Sequence, residues 1–311
     1  MTNSKFYKAN GKLLITGEYL VMEGAEAFAV PLNKGQSLKI TTVQENREPK
    51  LLWNAKSPSG LWFNAAFSLP SMEVIEASDR DKALLLKKIF KKIKTKNPLF
   101  LSAAETVIAE TNLDFPPGYG FGSSSTLLVN MATWAGANPF ELQLELFGGS
   151  AYDIACALSG KPLLYKLENG IPSYHNVDFN PGFAEHLYFV YLGNKQNSAQ
   201  GIKYFKENSH FSKSDVHTVT ALTRQLIASP DLETFSQIVD EHEKVMSRIL
   251  KMPTVKERYF GDIEGSVKSL GAWGGDFVLF AVKLNREKFI KKLKSKGFSV
   301  IFAWNNLVKN P

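Results

Sequence analysis

Residues 116–126 read PPGYGFGSSST, and the apolar run at 127–129 follows directly. A glycine-rich turn that leads into a helix leaves unpaired backbone N–H groups at the positive end of the helix dipole, where anions and most commonly phosphate bind. Glycine lets the backbone approach the phosphate closely. The hydroxyls at 123–126 can hydrogen-bond phosphate oxygens or join the shell of a bound Mg²⁺. The segment therefore predicts a phosphate loop, with a tight turn capped by serine as the alternative.

The two commonest nucleotide-binding motifs do not fit this segment. The Walker motif requires Gly-Lys followed by Ser or Thr, and no lysine follows Gly122. The Rossmann fingerprint requires a glycine at position 123, which is a serine. The residues of the loop alone therefore leave the kind of phosphate ligand open.

Length and composition indicate a soluble globular protein. The chain has 311 residues, of which 44% are apolar and 22% charged, enough for one large or two modest domains. A single cysteine, Cys156, excludes an internal disulfide framework and a cysteine-based metal cluster, and it fits a reducing, cytoplasmic setting. No stretch approaches the roughly 18 apolar residues of a membrane span, so we expect no membrane association. The formal charge of +7 suits an anionic small molecule as well as it suits nucleic acid.

The elements that must position the loop alternate between strands and helices. Apolar residues at helical spacing predict an amphipathic helix over 80–95 with a lysine-rich solvated face. A nucleic-acid groove would require interleaved aromatic residues, and Phe90 alone does not supply them, so we expect no nucleic-acid partner. The segment 11–33 predicts two strands with a turn at Glu23-Gly24, and 36–42 predicts another strand. Further elements are expected as strands at 105–115, 162–168, 186–192, 276–283 and 298–303 and as helices at 127–134, 213–229, 231–251 and 285–296. Asn138 as a cap and Pro139 in the first turn predict the start of another helix.

This mixture of strands and helices predicts the α+β class. The turn-rich stretch Glu168–Pro181 predicts a domain boundary, with domains at 1–175 and 176–311.

Three segments, in order, resemble the motifs of the GHMP kinase superfamily, the small-molecule kinases that include galactokinase, homoserine kinase, mevalonate kinase and phosphomevalonate kinase. PPGYGFGSSS resembles the second motif, with Phe121 and Ser125 as mild departures. NGKLLITGEYLVMEGAEAFAVPL, at 10–32, resembles the first motif of the mevalonate and phosphomevalonate kinases. SLGAWGGDFVLF, at 269–280, resembles the third, although Trp273 interrupts its glycines and Asp276 replaces a small residue.

The resemblance implies an α+β fold of two domains. The N-terminal domain is expected to be similar to domain 2 of ribosomal protein S5 and the C-terminal domain to be ferredoxin-like. ATP would bind with its phosphates on the glycine-rich loop. The implied cofactor-binding residues are Pro117, Gly118, Gly120, Gly122, Ser123, Ser124 and Ser125.

The resemblance also implies catalytic residues. GGSAYDIACA resembles the family segment Ser-Gly-x-Asp, which makes Asp153 the carboxylate that accepts or orients the proton of the substrate hydroxyl. Ser150 and Asp153 also have the spacing of a capping box, which would make Asp153 structural. Lys12 corresponds to a lysine near the transferred phosphate and the aspartate, where it would stabilise charge and pair with Asp153, with a surface strand lysine as the alternative.

Metal and substrate residues follow from the same resemblance. Ser124 occupies a position in the Mg²⁺ shell, and either Glu141 or Glu145 is a candidate for the acid that completes it. Glu18 is expected to support the turn of the first motif or to bind substrate. Gly274 and Gly275 of the third motif are expected to contact substrate. The five histidines show no metal-ligand spacing and are expected to be structural or on the surface.

The sequence thus predicts an ATP- and Mg²⁺-dependent kinase that phosphorylates mevalonate or phosphomevalonate. Three alternatives stay open: another small alcohol as acceptor, an enzyme similar to diphosphomevalonate decarboxylase, and a non-catalytic member that binds a ligand. The departures at Trp273 and Asp276 are the main support for the non-catalytic alternative. The sequence leaves the oligomeric state open.

Overall fold

The computed structural model of the protein describes residues 3–44, 48–102, 105–193, 198–273 and 276–309. Within these ranges the chain forms twelve β-strands and ten α-helices in mixed order, which confirms the α+β class. The strands are β1 (Asn3–Thr16), β2 (Ala27–Val43), β3 (Lys50–Ser57), β4 (Gly60–Ser68), β5 (Val74–Ala77), β6 (Thr106–Leu113), β7 (Leu163–Glu168), β8 (Ile171–Asn176), β9 (Leu187–Tyr191), β10 (Ser266–Ser269), β11 (Phe277–Ala281) and β12 (Ile301–Ala303). The helices are α1 (Arg80–Lys96), α2 (Ser123–Ala135), α3 (Pro139–Leu146), α4 (Tyr152–Leu158), α5 (Ser198–Asn208), α6 (Lys213–Ile227), α7 (Leu232–Leu250), α8 (Val255–Tyr259), α9 (Arg286–Ser295) and α10 (Trp304–Leu307).

The packing of its Cα atoms divides the chain into two compact units. Unit one consists of Met1–Gly11, Lys34–Pro117 and Phe121–Leu158. Unit two consists of Lys12–Asn33, Gly118–Gly120 and Ser159–Pro311. The boundary between residues 175 and 176 stays a prediction.

Unit one is built on a sheet with the strand order β5-β4-β3-β6-β2. β3 and β6 are parallel, whereas the other pairs in this order are antiparallel. Parallel neighbours require a crossover connection, and helix α1 lies in the segment that connects β3 to β6. Asp79 caps this helix by accepting a hydrogen bond from the backbone N–H of Lys82 (3.1 Å). On its apolar face Phe90 packs edge-on against Trp53 and Phe67, each at 5.7 Å between ring centroids.

Helices α2, α3 and α4 pack against one another in unit one. The predicted start of α3 is confirmed, because the side chain of Asn138 accepts a hydrogen bond from the N–H of Phe140 (2.9 Å) and Pro139 occupies the first turn. Buried residues of α2 and α4 belong to the same apolar core as the sheet and α1. Helices α2 and α4 therefore pack on the same core as the sheet of unit one.

Unit two contains a four-stranded antiparallel sheet with the order β10-β11-β9-β12. Along the chain β9 is followed by helices α5–α8, then β10, β11, α9 and β12. This β-α-β-β-α-β succession with that spatial order is the ferredoxin-like topology, as predicted for the C-terminal part. In the same unit β7 pairs with residues 27–29 of β2 and forms a hairpin with β8.

The first forty residues differ in detail from the prediction. Residues 20–23 form a 3-10 helix between β1 and β2, and Gly24 ends it with φ +93°. The strand expected at 36–42 is not separate but continues β2. Gly35 lies inside β2, where a Cβ would overlap the carbonyl oxygen of Ala9. This glycine therefore marks a close approach of two backbones and not a break between two strands.

None of the helices in the described ranges combines the length and the hydropathy that a membrane crossing requires.

Candidate active site

The glycine-rich loop has left-handed backbone at each of its three glycines. Gly118, Gly120 and Gly122 have φ of +106°, +71° and +85°, a conformation that residues with a Cβ rarely adopt. Gly122 is the N-cap of α2 and, having no side chain, provides no capping hydrogen bond, and the first turn contains no acidic residue. At most helix starts, a capping side chain or an acidic side chain of the first turn accepts hydrogen bonds from the first backbone N–H groups. This helix start therefore keeps an electropositive end to which an anion can bind.

The hydroxyls after the loop divide into two kinds. Ser125 is buried, and its hydroxyl donates to the carbonyl of Gly122 (2.8 Å). Thr126 is buried as well, and its hydroxyl donates to Gln36 Oε1 (2.8 Å). Ser124 is exposed. The side chains of Ser125 and Thr126 thus stabilise the helix start, which leaves Ser124 as the exposed oxygen of hard-ligand type that suits Mg²⁺.

Asp153 lies in the first turn of α4, and α4 packs against α2. One of its carboxylate oxygens accepts a hydrogen bond from the N–H of Ile154 (3.1 Å), and the side chain is half-buried. Ala151, just before the helix, has φ +60° and is 2% exposed. In the resemblance the corresponding residue is glycine, so an alanine here holds a strained backbone that the packed core of unit one maintains.

Glu141 and Glu145, the two candidates for the magnesium acid, make ion pairs between α3 and α1. Lys96 Nζ lies 3.1 Å from Glu141 Oε2 and 2.9 Å from Glu145 Oε1. Lys92 also pairs with Glu145, and hydrogen bonds from these two lysines lower the pKa of Glu145. Both carboxylates therefore have a structural use on the surface of unit one.

Lys12 belongs to unit two, on β1, where it is half-buried. Asp153 belongs to unit one, so a pairing of Lys12 with Asp153 stays a prediction. Gly274 and Gly275, the expected substrate contacts of the third motif, lie outside the described residues.

Glu18 lies in a buried cluster of charged groups in unit two. The ammonium of Lys268 donates to Glu18 Oε1, to Glu243 Oε1 (3.1 Å) and to the carbonyl of Ser269 (2.8 Å). The hydroxyl of Ser269 donates to the other oxygen of Glu243 (2.9 Å). Nε2 of His242 lies 3.5 Å from Glu18 Oε2. Since Glu18 is fully buried, its position favours support of the first-motif turn over direct contact with substrate.

The cluster contains two carboxylates and one ammonium, and this imbalance shifts their protonation. Burial raises the pKa of Glu18 to about 7, although the charge of Lys268 acts to lower it. Burial also raises the pKa of Glu243 and lowers that of His242 well below its ordinary value. Burial acts to lower the pKa of Lys268, but the charges of Glu18 and Glu243 outweigh it and the pKa is raised. A protonated Glu18 beside a neutral His242 and a Lys268–Glu243 pair has no net charge, which is the state that burial favours.

The ligand atoms of Glu18, His242 and Glu243 lie within 4.8 Å of one another, close enough for a metal site. The ammonium of Lys268, bonded to both carboxylates, already provides the positive charge that such a site requires. Sequence reasoning did not single out Lys268, Glu243 or His242. No spacing in the sequence marks these three residues, because their common burial depends on how β10 packs in the fold.

Trp273, the bulky residue in the third motif, is packed into the core of unit two. It is buried in the same apolar cluster as Leu20 and Phe205. Tyr19 stacks on Phe205 at 5.1 Å, and its hydroxyl accepts a hydrogen bond from the backbone N–H of Trp273 (3.3 Å). A Cβ on Gly201 would lie 2.8 Å from that hydroxyl. Trp273, which interrupts the glycines of the third motif, is therefore accommodated by aromatic packing near Tyr19 of the first motif.

Asp276, the second departure, lies against the glycine-rich loop. A Cβ on Gly120 would overlap the Asp276 carboxylate and would lie 2.5 Å from its Cγ. Both residues belong to unit two, and Asp276 is half-buried. A carboxylate thus covers the side of Gly120 from which a side chain is missing.

Solved structures with a similar fold include several small-molecule kinases. The protein is similar over 99% of its chain to the mevalonate kinase of Methanococcus jannaschii, of which 99% is covered, with a TM-score of 0.72 and 15% identity. It is similar over its whole length to L. major mevalonate kinase in complex with R-mevalonate, of which 97% is covered, with a TM-score of 0.71 and 16% identity. Streptococcus pneumoniae phosphomevalonate kinase, in complex with phosphomevalonate and AMPPNP, matches over 99% of this chain and 98% of its own, with a TM-score of 0.66 and 15% identity.

The sequence matches no protein-family model and no curated protein. The structural likeness covers nearly the full length on both sides, so the chain has the fold of the GHMP kinases, as the three sequence motifs predicted.

Replacing Gly120 tests the contact with Asp276. In Gly120→Ala the new methyl group would overlap the Asp276 carboxylate and would sit on a left-handed backbone, so we expect a loss of about 1–3 kcal/mol in the free energy of unfolding. Gly160→Ala is the control, because a Cβ there meets open space without positive φ. Urea titrations of both variants measure the difference. If the contact exists, the double variant Gly120→Ala/Asp276→Gly should recover part of the stability that Gly120→Ala loses. If Gly120→Ala lowers the free energy of unfolding by the same amount in the parent and in Asp276→Gly, the contact is contradicted.

Replacing Glu18 tests the buried proton. Because the pKa of Glu18 in the folded protein, about 7, lies above its ordinary value of 4.5, its contribution to stability is present at acid pH and is lost as the pH rises through about 7. Glu18→Gln should therefore flatten the decline in unfolding free energy between pH 5 and 8, by an amount on the order of 3 kcal/mol.

Glu26→Gln is the matched control for this experiment. Hydrogen bonds from Arg224 lower the pKa of Glu26, so its contribution is lost only as the pH falls below the ordinary carboxyl range. Its stability curve should run parallel to that of the parent from pH 5 to 8. A parallel curve for Glu18→Gln would show that Glu18 is ionised throughout this range.

Proposed function

We propose that the protein is an ATP- and Mg²⁺-dependent kinase that transfers the γ-phosphoryl group to mevalonate or phosphomevalonate. The observation that carries the proposal is the glycine-rich loop that opens α2 without a side-chain cap. Its left-handed glycines and its helix start without a side-chain cap are features that suit phosphate binding. The fold adds support, because solved structures that share it include small-molecule kinases.

The loop is proposed to bind the phosphates of ATP through backbone N–H groups. The residues assigned to this role are Pro117, Gly118, Gly120, Gly122, Ser123, Ser124 and Ser125. Since the hydroxyl of Ser125 is bonded to Gly122, its part in binding would come from its N–H. Ser124 would place its exposed hydroxyl on the metal. When bound, Mg²⁺ neutralises charge on the phosphate oxygens during transfer.

Asp153 is proposed as the group that orients the acceptor hydroxyl and takes its proton. The carboxylate lies in the first turn of α4, at the position of the aspartate in the family segment Ser-Gly-x-Asp, and a carboxylate can accept a proton from a hydroxyl group. Lys12 is proposed to stabilise the negative charge that develops during transfer. Glu18 would act indirectly, by supporting the first-motif turn, and Gly274 and Gly275 are proposed to contact the acceptor.

The acceptor class rests on the first motif, where GEYLV resembles the phosphomevalonate kinases. Relatives in fold include a galactokinase complexed with galactose, 10% identical, as well as the mevalonate kinases, so the fold by itself does not choose the acceptor. A second candidate is a ligand-binding protein without catalysis. The observation in its favour is the Asp276 carboxylate beside Gly120.

A panel of acceptors tests the proposal. Release of ADP should be measured with mevalonate, phosphomevalonate, homoserine and galactose offered in parallel, with ATP and Mg²⁺. We expect turnover above the acceptor-free rate with mevalonate or phosphomevalonate only. ATP binding without turnover on any acceptor would favour the ligand-binding protein, and turnover on galactose or homoserine alone would overturn the proposed acceptor.

Asp153→Asn tests the catalytic base. The amide keeps the size of the side chain but cannot take a proton, so turnover should fall on the order of 10²-fold or more while ATP affinity changes little. The change in unfolding free energy should stay at or below about 1 kcal/mol. Asp81→Asn is the control, since Asp81 is an exposed aspartate in the first turn of α1. Turnover of Asp153→Asn within a few-fold of the parent would make Asp153 structural.

A further inference from the structure

The tip of the glycine-rich loop, defined as residues 118–120, touches a carboxylate. A Cβ on Gly120 would overlap the carboxylate of Asp276, so no side chain could separate the two. Glycine in a phosphate loop is useful because the phosphate can come close to the backbone. At Gly120 that close approach is taken by a negatively charged group of the protein itself.

The contact is held in place from both sides by the same pair of strands. The carbonyl of Asp276 accepts a hydrogen bond from the N–H of Leu192 (2.9 Å), directly after β9. The tip is fixed through Tyr119, whose ring lies 4.8 Å from that of Tyr191 on β9 and 5.9 Å from that of Phe277 on β11. The hydroxyl of Tyr191 also donates to the carbonyl of Gly118 (3.5 Å). The backbone of Asp276 and the tip are therefore anchored to adjacent residues of the same two strands.

The charge of Asp276 acts on its surroundings. Burial raises the pKa of Tyr191, and the negative charge of Asp276 raises it further. A phosphate group brought to the tip would be repelled by the negative charge of Asp276. Like charges a few ångströms apart repel strongly where water is partly excluded. A divalent cation bound to a nucleotide cancels part of the negative charge on its phosphates and so reduces this repulsion.

We propose that Asp276 makes the loop discriminate against metal-free ATP, so that the nucleotide binds well only as its complex with a divalent cation. Asp276 is in this sense a specificity-determining residue, and the inference rests on the proposed function of the loop. The departure from a small residue in the third motif then selects a form of the nucleotide and does not abolish its binding. No step of the transfer reaction is assigned to Asp276.

Nucleotide titration with and without metal tests the inference. The dissociation constant of ATP should be measured by calorimetry in excess Mg²⁺ and in excess EDTA, for the parent, Asp276→Asn and Asp276→Gly. We expect Asp276→Asn to tighten the binding of metal-free ATP at least 10-fold and to change the binding of the Mg²⁺ complex less than 3-fold. Asp276→Gly should do the same, which would assign the effect to charge. Both readouts are binding constants and do not depend on turnover.

Asp178→Asn is the control for the loss of one negative charge, because Asp178 is an exposed aspartate of unit two. It should leave both dissociation constants within 2-fold of the parent. If Asp276→Asn fails to fold, Asp276→Gly carries the test alone.

Three results would overturn the inference. Unchanged constants in both variants of Asp276 would show that its charge does not reach the nucleotide. Weaker binding of the Mg²⁺ complex in Asp276→Asn would make Asp276 a ligand of the metal. Equal tightening by Asp178→Asn would make the effect one of net charge. In each case the parent still binds nucleotide and the proposed function stands, whereas a parent that binds no nucleotide with or without Mg²⁺ would overturn both.

Discussion

Unit two depends on the ammonium of Lys268, which is fully buried between two carboxylates. Its three hydrogens are used on Glu18, Glu243 and the carbonyl of Ser269. Glu18 lies between β1 and the 3-10 helix at 20–23, Glu243 on α7, and Lys268 on β10, the strand that leads into the third motif. Breaking a buried ion pair by removing one partner typically costs about 3–5 kcal/mol, because the other charge is left unpaired. The cluster thereby holds the chain of the first motif in register with the strand that precedes the third motif.

The same cluster explains why the first motif is built as a turn. The N–H of Gly17 points at Nε2 of His242 (3.5 Å), and Gly17 has φ +87°. A Cβ on Gly17 would lie 2.6 Å from that of Ala27, so glycine is required there on two counts. The chain must leave β1 sharply to place Glu18 on Lys268. If β1 continued through residue 18, the carboxylate of Glu18 would lie away from Lys268, the buried cation with which it pairs among the described residues.

The glycine-rich loop combines rigid support with an exposed hydroxyl at Ser124. Hydrogen bonds from Thr126 to the side chain of Gln36 and from Asn130 to the backbone carbonyl of Gln36 attach α2 to β2. The hydroxyl of Ser125 closes the first turn on Gly122. A binding loop held by buried hydrogen bonds keeps its N–H groups aimed in one direction, which is what preorganised binding of an anion needs. The two unusual residues of the third motif have different places. Trp273 packs in the core of unit two, and Asp276 contacts the glycine-rich loop at Gly120.

The sequence by itself determined the kinds of elements, the order of the three motifs and the class of fold. Those features rest on local signals: the spacing of apolar residues in α1, the Asn138 cap and Pro139 that start α3, and the glycines that precede α2. Only the tertiary structure decided which polar residues meet. Lys268 and Glu18 are 250 positions apart along the chain, and their pairing depends on how β1, α7 and β10 pack rather than on any spacing in the sequence. Likewise, only packing assigned Glu141 and Glu145 to lysines of α1 and brought Asp276 to Gly120. A periodic pattern determines which face of an element is buried, whereas the partner on that face is determined by the topology that brings distant elements together.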